Sequence, residues 1–542
     1  MKNILTELFR TTSDRLEYLK DVNPIFNVPG NQEHGDISTN MAMLLAKQLK
    51  RNPREIAGEI INNLIIDPKV ILKVEIAGPG FINFYFNPEF LTAIIPDILD
   101  KKENFGRSDK YKGKKATVEF VSANPTGPLT VGHGRNAVFG DTVTNMLEWT
   151  GYSVDREYYF NNAGRQMRVL GQSVKYRYLE ILGQEEQFPD DHYQGAYIKD
   201  IAAKLYTEYG DTLENEPAEG RFKETAEKEI FQDIEGTLAR IGINFQSYFN
   251  ENSLYEEGKI KELLEIFKQK NLSYEKDNAI WLKLEELGND KDKVIVKSTG
   301  EPTYRLPDIA YHRTKFERNY DLIVDVFGSD HNATYPDVMA GLKSLGYETQ
   351  KIKVLIHQFV TIMDKGQAVK MSTRKANFIT LDELIDEVGS DVVRYFFNMR
   401  SIVSHLNFDL VLAKTQSDEN PVFYLQYAHA RVSSILKMTK ENGLECSSEN
   451  LNLLTGAEEQ SLLKKLHQFS AEMLYDSENF ESHRITAYLE ELAGLFHRFY
   501  TNCRIIGVEK KLAEARIALS IAVQTVIKNG LTVLGVNAPD RM

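Results

Sequence analysis

The segment VEFVSANPTGPLTVGHGR, residues 118–135, constrains this chain more than any other. The run from Ala116 to Val121 reads as a strand. It stops at Asn124-Pro125-Thr126-Gly127-Pro128, a cluster in which neither strand nor helix continues. Gly132-His133-Gly134 then opens a helix expected to reach about Thr150. A strand fed through a tight loop into a helix start is the repeating unit of a parallel, helix-covered sheet. Further strands are expected at 153–160, 320–327 and 351–363, with a helix at 336–345.

The flanks differ in pattern. Residues 1–110 read as a small α/β unit, with helices over 1–18 and 38–50 and another starting at Pro53. VEIAGPGFINFYF then reads as two strands around a Gly-Pro-Gly turn, and the basic stretch KKENFGRSDKYKGKK as a linker. Charged, helix-rich sequence over about 165–293 reads as an insertion within a sheet domain spanning 111–405. From 406 to 542 the periodicity is helical and prolines are few, which predicts an all-α bundle. The expected class is therefore multidomain α/β: a Rossmann-type parallel-sheet domain with an insertion, a small α/β N-terminal domain and a C-terminal helix bundle.

At 542 residues, the chain is long enough for three or four domains of about 150 residues. Its 65 basic and 78 acidic residues give a net charge of −13, so a nucleic-acid partner would need a local basic face. Cys446 and Cys503 form no CxxC pair, which argues against a disulfide framework or a structural zinc. The start, MKNILTELFRTTSDRLEYL, is amphipathic and charged throughout, unlike a secretory leader. No run of 18 apolar residues is evident, so the expectation is a cytoplasmic chain without a membrane partner.

Two segments carry chemistry. A helix N-terminus presents unpaired N–H donors and a positive dipole end, which suits a triphosphate. Gly132 lets a flat base lie against the backbone, and His133 can donate to a phosphate oxygen as charge builds there. Alone, a Gly-His pair is usually a tight turn with a capping histidine. The second segment is Lys370-Met371-Ser372-Thr373-Arg374-Lys375, in a polar loop before a helix near Leu381. Three cations and a hydroxyl there can offset pyrophosphate charge, although most basic runs are simply solvated.

In this order, separated by a long insertion, the segments resemble the HIGH and KMSKS signatures of class I aminoacyl-tRNA synthetases. NPTGPL, YYFNNAGRQM, PTYRLPDIAYH and KMSTRKANFITLDELIDEVGSDVVRYFF are similar to the arginyl branch. The likeness continues through NPVFYLQYAHAR to the final LGVNAPDRM, nearly the whole chain. It implies a Rossmann-type catalytic domain, an N-terminal domain contacting the tRNA elbow and a helical anticodon-binding domain. It also implies activation of L-arginine by ATP with Mg²⁺ and transfer to tRNA(Arg), by a monomer that needs bound tRNA before activation. Residue by residue, it implies His133 and Lys370 as catalytic groups. Thr130, Gly132, His133, Gly134, Lys370, Met371, Ser372 and Arg374 would surround ATP, and Glu119, Ser122, Asn124, Tyr304, Asp308 and His331 arginine.

The residue types suit that ligand. A guanidinium is planar, permanently charged and carries five donors, so it asks for well-placed carboxylates. Glu119 lies in the strand that leads to the nucleotide turn, and Asp308 follows Tyr304 by four residues, one helical face if the segment is helical. Pro307 favours a helix start there. Without the resemblance, both acids would read as ordinary surface residues. Lysine would meet the charge but not the bidentate geometry, leaving acceptors unpaired at about 1–3 kcal/mol each. Two positions depart from the signatures: Thr130 replaces the first histidine and Thr373 the second lysine. Each removes a phosphate contact of about 1.5–3 kcal/mol, which is expected to attenuate activation unless Arg135, Arg374 or Lys375 substitutes. These threonines are the only support for a non-catalytic tRNA-binding paralogue. The absence of zinc ligands separates the chain from cysteinyl and methionyl relatives.

Overall fold

The computed structural model describes residues 1–29, 34–162, 164–184, 187–369 and 379–542. At its centre is a five-stranded, all-parallel sheet, in the order Ile352–His357, Leu322–Gly328, Lys115–Glu119, Ser153–Phe160, Ser247–Asn250. The strand met first in the chain lies in the middle, and later strands add on either side. The order therefore reverses between Lys115–Glu119 and Leu322–Gly328, and the crevice beyond such a switch point is where open α/β sheets receive ligands.

Burial explains the layering. Ala116, Val118 and Phe120 are fully buried, and the helix Val131–Trp149 returns over them with Ala137, Val138, Val143 and Met146. Helix and strand approach so closely at Gly140 that a Cβ there would lie 2.3 Å from Phe120. A larger residue would push the layers apart.

Three expectations need correction. The charged stretch is not all outside the sheet: Ser247–Asn250 forms its edge by pairing with Glu157–Phe160. The strand expected over 351–363 is two strands, Ile352–His357 and Val360–Asp364, and the second joins a separate three-stranded sheet. The break falls where the buried Arg135 guanidinium takes the carbonyls of Gln358 (2.8 Å) and Phe359 (3.5 Å), which ends the first ladder. The helix expected over 38–50 starts only at Met41, because Ile37–Thr39 pairs with Phe81–Phe86.

The N-terminal unit is a four-stranded antiparallel sheet in which Ile71–Ala77 and Phe81–Phe86 make the hairpin read from the Gly-Pro-Gly turn. Helices Lys2–Ser13, Met41–Leu49 and Pro53–Asn63 cover it, the last capped by Asn52 accepting from the Arg54 N–H (2.9 Å). Five long helices form the C-terminal bundle: Pro421–Glu441, Ala457–Leu466, Phe469–Asn479, Ser482–Asn502 and Lys510–Leu534. Contrary to the sequence reading, Lys510–Leu534 is long and apolar enough to cross a bilayer by length and composition alone. Most of it is buried against Ser482–Asn502, Pro421–Glu441 and the N-terminal unit, the pattern of a core helix.

Buried polar groups join the units. Arg394, 2% exposed, donates to the carbonyls of Leu534 (2.9 Å) and Ile241 (2.8 Å) and pairs with Asp141 of the helix Val131–Trp149. Asn529 donates to the carbonyls of Lys102 (2.9 Å) and Phe105 (3.0 Å), and His467 stacks on Phe90 at 4.7 Å.

Candidate active site

The central strand does not run smoothly into its loop. Val121 and Ser122 follow it with φ of 65° and 42°, a left-handed pair that costs a β-branched residue in particular. Surrounding bonds over-determine the kink. Asn136 accepts from the Val121 N–H (2.6 Å) and donates to the Val326 carbonyl (2.9 Å), tying the loop across the switch point. Ser122 donates to Glu119 Oε1 (3.0 Å) and accepts from the Tyr159 N–H (3.1 Å). Asn136 was not among the residues read from sequence, since an asparagine inside a helix carries no distinguishing local signal.

The helix Val131–Trp149 opens with a capping box. Thr130 Oγ1 accepts from the His133 N–H (3.4 Å), and His133 Nδ1 accepts from the Thr130 N–H (3.2 Å). With Nδ1 an acceptor, the neutral ring carries its proton on Nε2, free to be donated. Burial lowers the His133 pKa, which keeps the ring neutral. Thr130 is therefore an N-cap, and its hydroxyl is engaged by the helix. Gly132 is half-buried, and a Cβ there would meet only the Thr130 hydroxyl at 3.6 Å, consistent with room for a flat group. Gly134 is different: it is buried, and a Cβ would lie 2.6 Å from Leu381, so it packs the helix against Leu381–Val388. Arg135 is unavailable to replace a lost signature cation, because it is buried on backbone carbonyls and burial lowers its pKa to about 10.

Lys370, Met371, Ser372 and Arg374 lie outside the described residues. The chain that follows them is joined to the helix start: Thr130 and Thr380 form an antiparallel bridge, and the Leu381 N–H donates to the Leu129 carbonyl (2.8 Å). Arg240, from the insertion helix Lys223–Arg240, pairs with Asp382 and Asp386 just beyond.

All six residues expected around arginine line one cavity of about 400 Å³ beyond the switch point: Glu119, Ser122, Asn124, Tyr304, Asp308 and His331. Tyr304, 69% exposed, precedes the helix Arg305–Glu317, and Asp308 occupies that helix's first turn. Asp308 Oδ atoms accept no hydrogen bond from the described residues, and burial pushes its carboxyl up to about 7. Asn124 donates to Gln166 (2.5 Å), and His331 stacks on Phe327 at 4.7 Å. An adjoining cavity of about 530 Å³ shares Tyr304 and is lined by Arg165, Arg168 and Glu251. Glu251, buried, with its pKa raised by burial, faces Asp308 closely enough to raise that carboxyl as well. Sequence reading missed it, because it lies in the stretch taken as insertion.

Glu119 is 3% exposed, and Lys315, fully buried, donates to its Oε2 (2.6 Å) and to Asp325 Oδ1 (2.6 Å). His312 donates to Asp325 Oδ2 (3.0 Å) and to the Asp308 carbonyl (2.7 Å). Both ring nitrogens of His312 face acceptors, so both carry protons and the ring is a cation. Burial works to lower its pKa, and Asp325 overcomes this and raises it.

Comparison with known proteins gives this geometry a lineage. Residues 2–86 match the arginyl tRNA synthetase N terminal domain, 94–401 the class I tRNA synthetase (R) catalytic domain and 425–542 the DALR anticodon binding domain. The chain is 51% identical over 518 residues to the arginine–tRNA ligase of Desulfotalea psychrophila, covering 95% of this chain and 94% of that one. It is 48% identical over 562 residues to the same ligase of Salinibacter ruber, covering 100% of both. Its fold superposes on Thermus thermophilus arginyl-tRNA synthetase with a TM-score of 0.78 at 20% identity, again over 100% of both chains. With a parallel sheet, a capped histidine at its switch point and three matching domain models in order, the chain belongs to the arginyl-tRNA synthetase family of class I synthetases.

Proposed function

We propose that this chain is an arginine–tRNA ligase whose arginine side chain is read by Asp308, with Tyr304, Asn124, Ser122, Glu119 and His331 around it. The observation that carries the reading is the half-buried carboxylate of Asp308, desolvated where it lines the cavity, with no donor among the described residues. Such a group is costly unless a cation arrives. Glu251, at the junction with the adjoining cavity, supplies a second acid.

The first step needs no general base, because the substrate carboxylate is already ionised. It attacks the α-phosphorus of ATP in line; the P–O bond to pyrophosphate breaks, and arginyl-adenylate remains. The first turn of Val131–Trp149 receives the phosphates, and the Nε2–H of His133 donates to the oxygen on which charge develops. Lys370, with Met371, Ser372 and Arg374 beside it, offsets the pyrophosphate charge. Mg²⁺ would accompany ATP and offset charge on its phosphates; among the described residues no cluster of three His, Cys, Asp or Glu stands ready to hold a metal. A ribose hydroxyl at the tRNA 3′ end, the 2′-OH in class I chemistry, then attacks the adenylate carbonyl and AMP leaves.

Residues 1–110 serve the tRNA elbow, 111–405 the chemistry and 406–542 the anticodon; the working form is a cytoplasmic monomer, activated once tRNA is bound. The test is charging of total tRNA with ATP, Mg²⁺ and each labelled amino acid in turn, tRNA present from the start. Esterification of arginine alone, abolished by Lys370→Ala, supports the reading. Charging of another amino acid removes the assignment of Asp308, and tRNA binding without charging leaves a non-catalytic paralogue.

A further inference from the structure

The helix Arg305–Glu317 is docked on a row of acids. Asp325, Glu119 and Glu157 are direct neighbours in the parallel ladder of three adjacent strands, straddling the switch point. Against them the helix and its cap set Tyr311, Lys315 and Arg318, positions that share one helical face. Tyr311 donates to Glu157 (2.6 Å), Arg318 pairs with the same carboxylate, and Lys315 bridges Glu119 and Asp325. Glu119, which lines the cavity, and its fully buried ladder neighbour Asp325 are thereby balanced by two buried cations, Lys315 and His312.

This balance bears on specificity. Two carboxylates 2.6 Å from one ammonium are the acceptor set that an incoming lysine side chain would seek. The protein's own lysine already fills it. Glu119 Oε1 is occupied as well, by the Ser122 hydroxyl. The floor of the arginine cavity is hence electrically neutral, and the unmatched charge is displaced onto Asp308 at the helix start.

We propose that Lys315 is a specificity-determining positioning residue: by occupying the ammonium site between Glu119 and Asp325, it denies that site to lysine and leaves the substrate cation to Asp308. The inference rests on the reading of this cavity as the arginine site. Lys315 touches no substrate; it acts through Glu119.

The experiment charges tRNA(Arg) with arginine and with lysine, using the full-length protein, and compares kcat/KM for the two. Lys315→Met keeps the volume and removes the charge, leaving Glu119 as an open acceptor. The expected result is a fall in arginine-over-lysine discrimination of about tenfold or more, while KM for ATP stays within about twofold. Adding Glu119→Gln makes the floor neutral again and is expected to restore discrimination to within about threefold of the parent, since removing both partners of a buried pair is far milder than removing one. Unchanged discrimination in Lys315→Met with a lower overall rate, or a double variant worse than the single, overturns the proposal and leaves Lys315 a structural ion-pair residue. Should Lys315→Met fail to fold, Lys315→Gln decides in its place: the same fall in discrimination supports the proposal, and unchanged discrimination overturns it. If the parent charges no arginine at all, the cavity reading itself has failed, an outcome distinct from all of these.

Discussion

Two helix starts face the same crevice, and they are built to opposite electrical specifications. Both Val131–Trp149 and Arg305–Glu317 present the positive end of a helix dipole. The first has no acid in its opening turn and a reciprocal Thr130–His133 cap. The second has no side-chain cap but carries Asp308 in its opening turn. One start, with no acid in its first turn, suits an anion; in the other the half-buried Asp308 carboxylate reverses the local sign and so suits a cation. The lesson is that a helix terminus supplies a field, and the side chains of its first turn decide which ligand uses it. The insertion and the bundle brace the first of these helices, through Arg240 on Asp382 beside its start and through Arg394, which pairs with Asp141 and donates to the Leu534 carbonyl.

Substitutions at each start test that division. Asp308→Asn removes the sign reversal, and kcat/KM for arginine is expected to fall on the order of a thousandfold, with KM for ATP little altered, in steady-state charging assays. A parallel loss in ATP binding would show that the two starts are not separate devices. His133→Ala should act the other way, lowering kcat about a hundredfold with KM for arginine nearly unchanged.

Acid sharpens the same contrast. The free Asp308 carboxyl, raised by burial to about 7, is helped down by His312 and Lys315 and held up by Glu119 and Glu251. Below that pH it is protonated and cannot pair with a guanidinium, so arginine affinity is present above about 7 and lost as pH falls through it. KM for arginine should rise by up to about tenfold per pH unit there, read from a pH series of initial rates. KM for ATP should not follow that slope. The smallest effect belongs to the cap. Thr130→Ala should destabilise the protein by about 1 kcal/mol and Thr130→Ser by much less, measured by denaturant unfolding. A loss of activity in Thr130→Ser as large as in Thr130→Ala would mean that the methyl group, not the cap, matters.

How much of this could be read beforehand follows the range of the interactions. Lys115–Glu119, Val131–Trp149 and Ser153–Phe160 stand close to where composition and turn residues put them, because each signal is local. Ser247–Asn250 was invisible: four residues in a charged stretch become a strand only by pairing with Glu157–Phe160. The break at Gln358 was equally hidden, since the guanidinium that makes it lies 223 residues earlier. Thr130 read as a lost phosphate contact, and the structure shows why a threonine belongs there: it caps the helix and orients His133.

By itself the sequence determined the order of domains and the strand–loop–helix unit with its histidine, and by family likeness it named the acids, Glu119 and Asp308, expected beside arginine. Local periodicity and turn chemistry suffice for the first two. Tertiary structure alone decided which of those acids is free. Glu119 and Asp308 look equivalent in one dimension, yet Glu119 is matched by a lysine 196 residues away and Asp308 has no donor among the described residues. Desolvation and ion pairing act through space, so no local pattern records them.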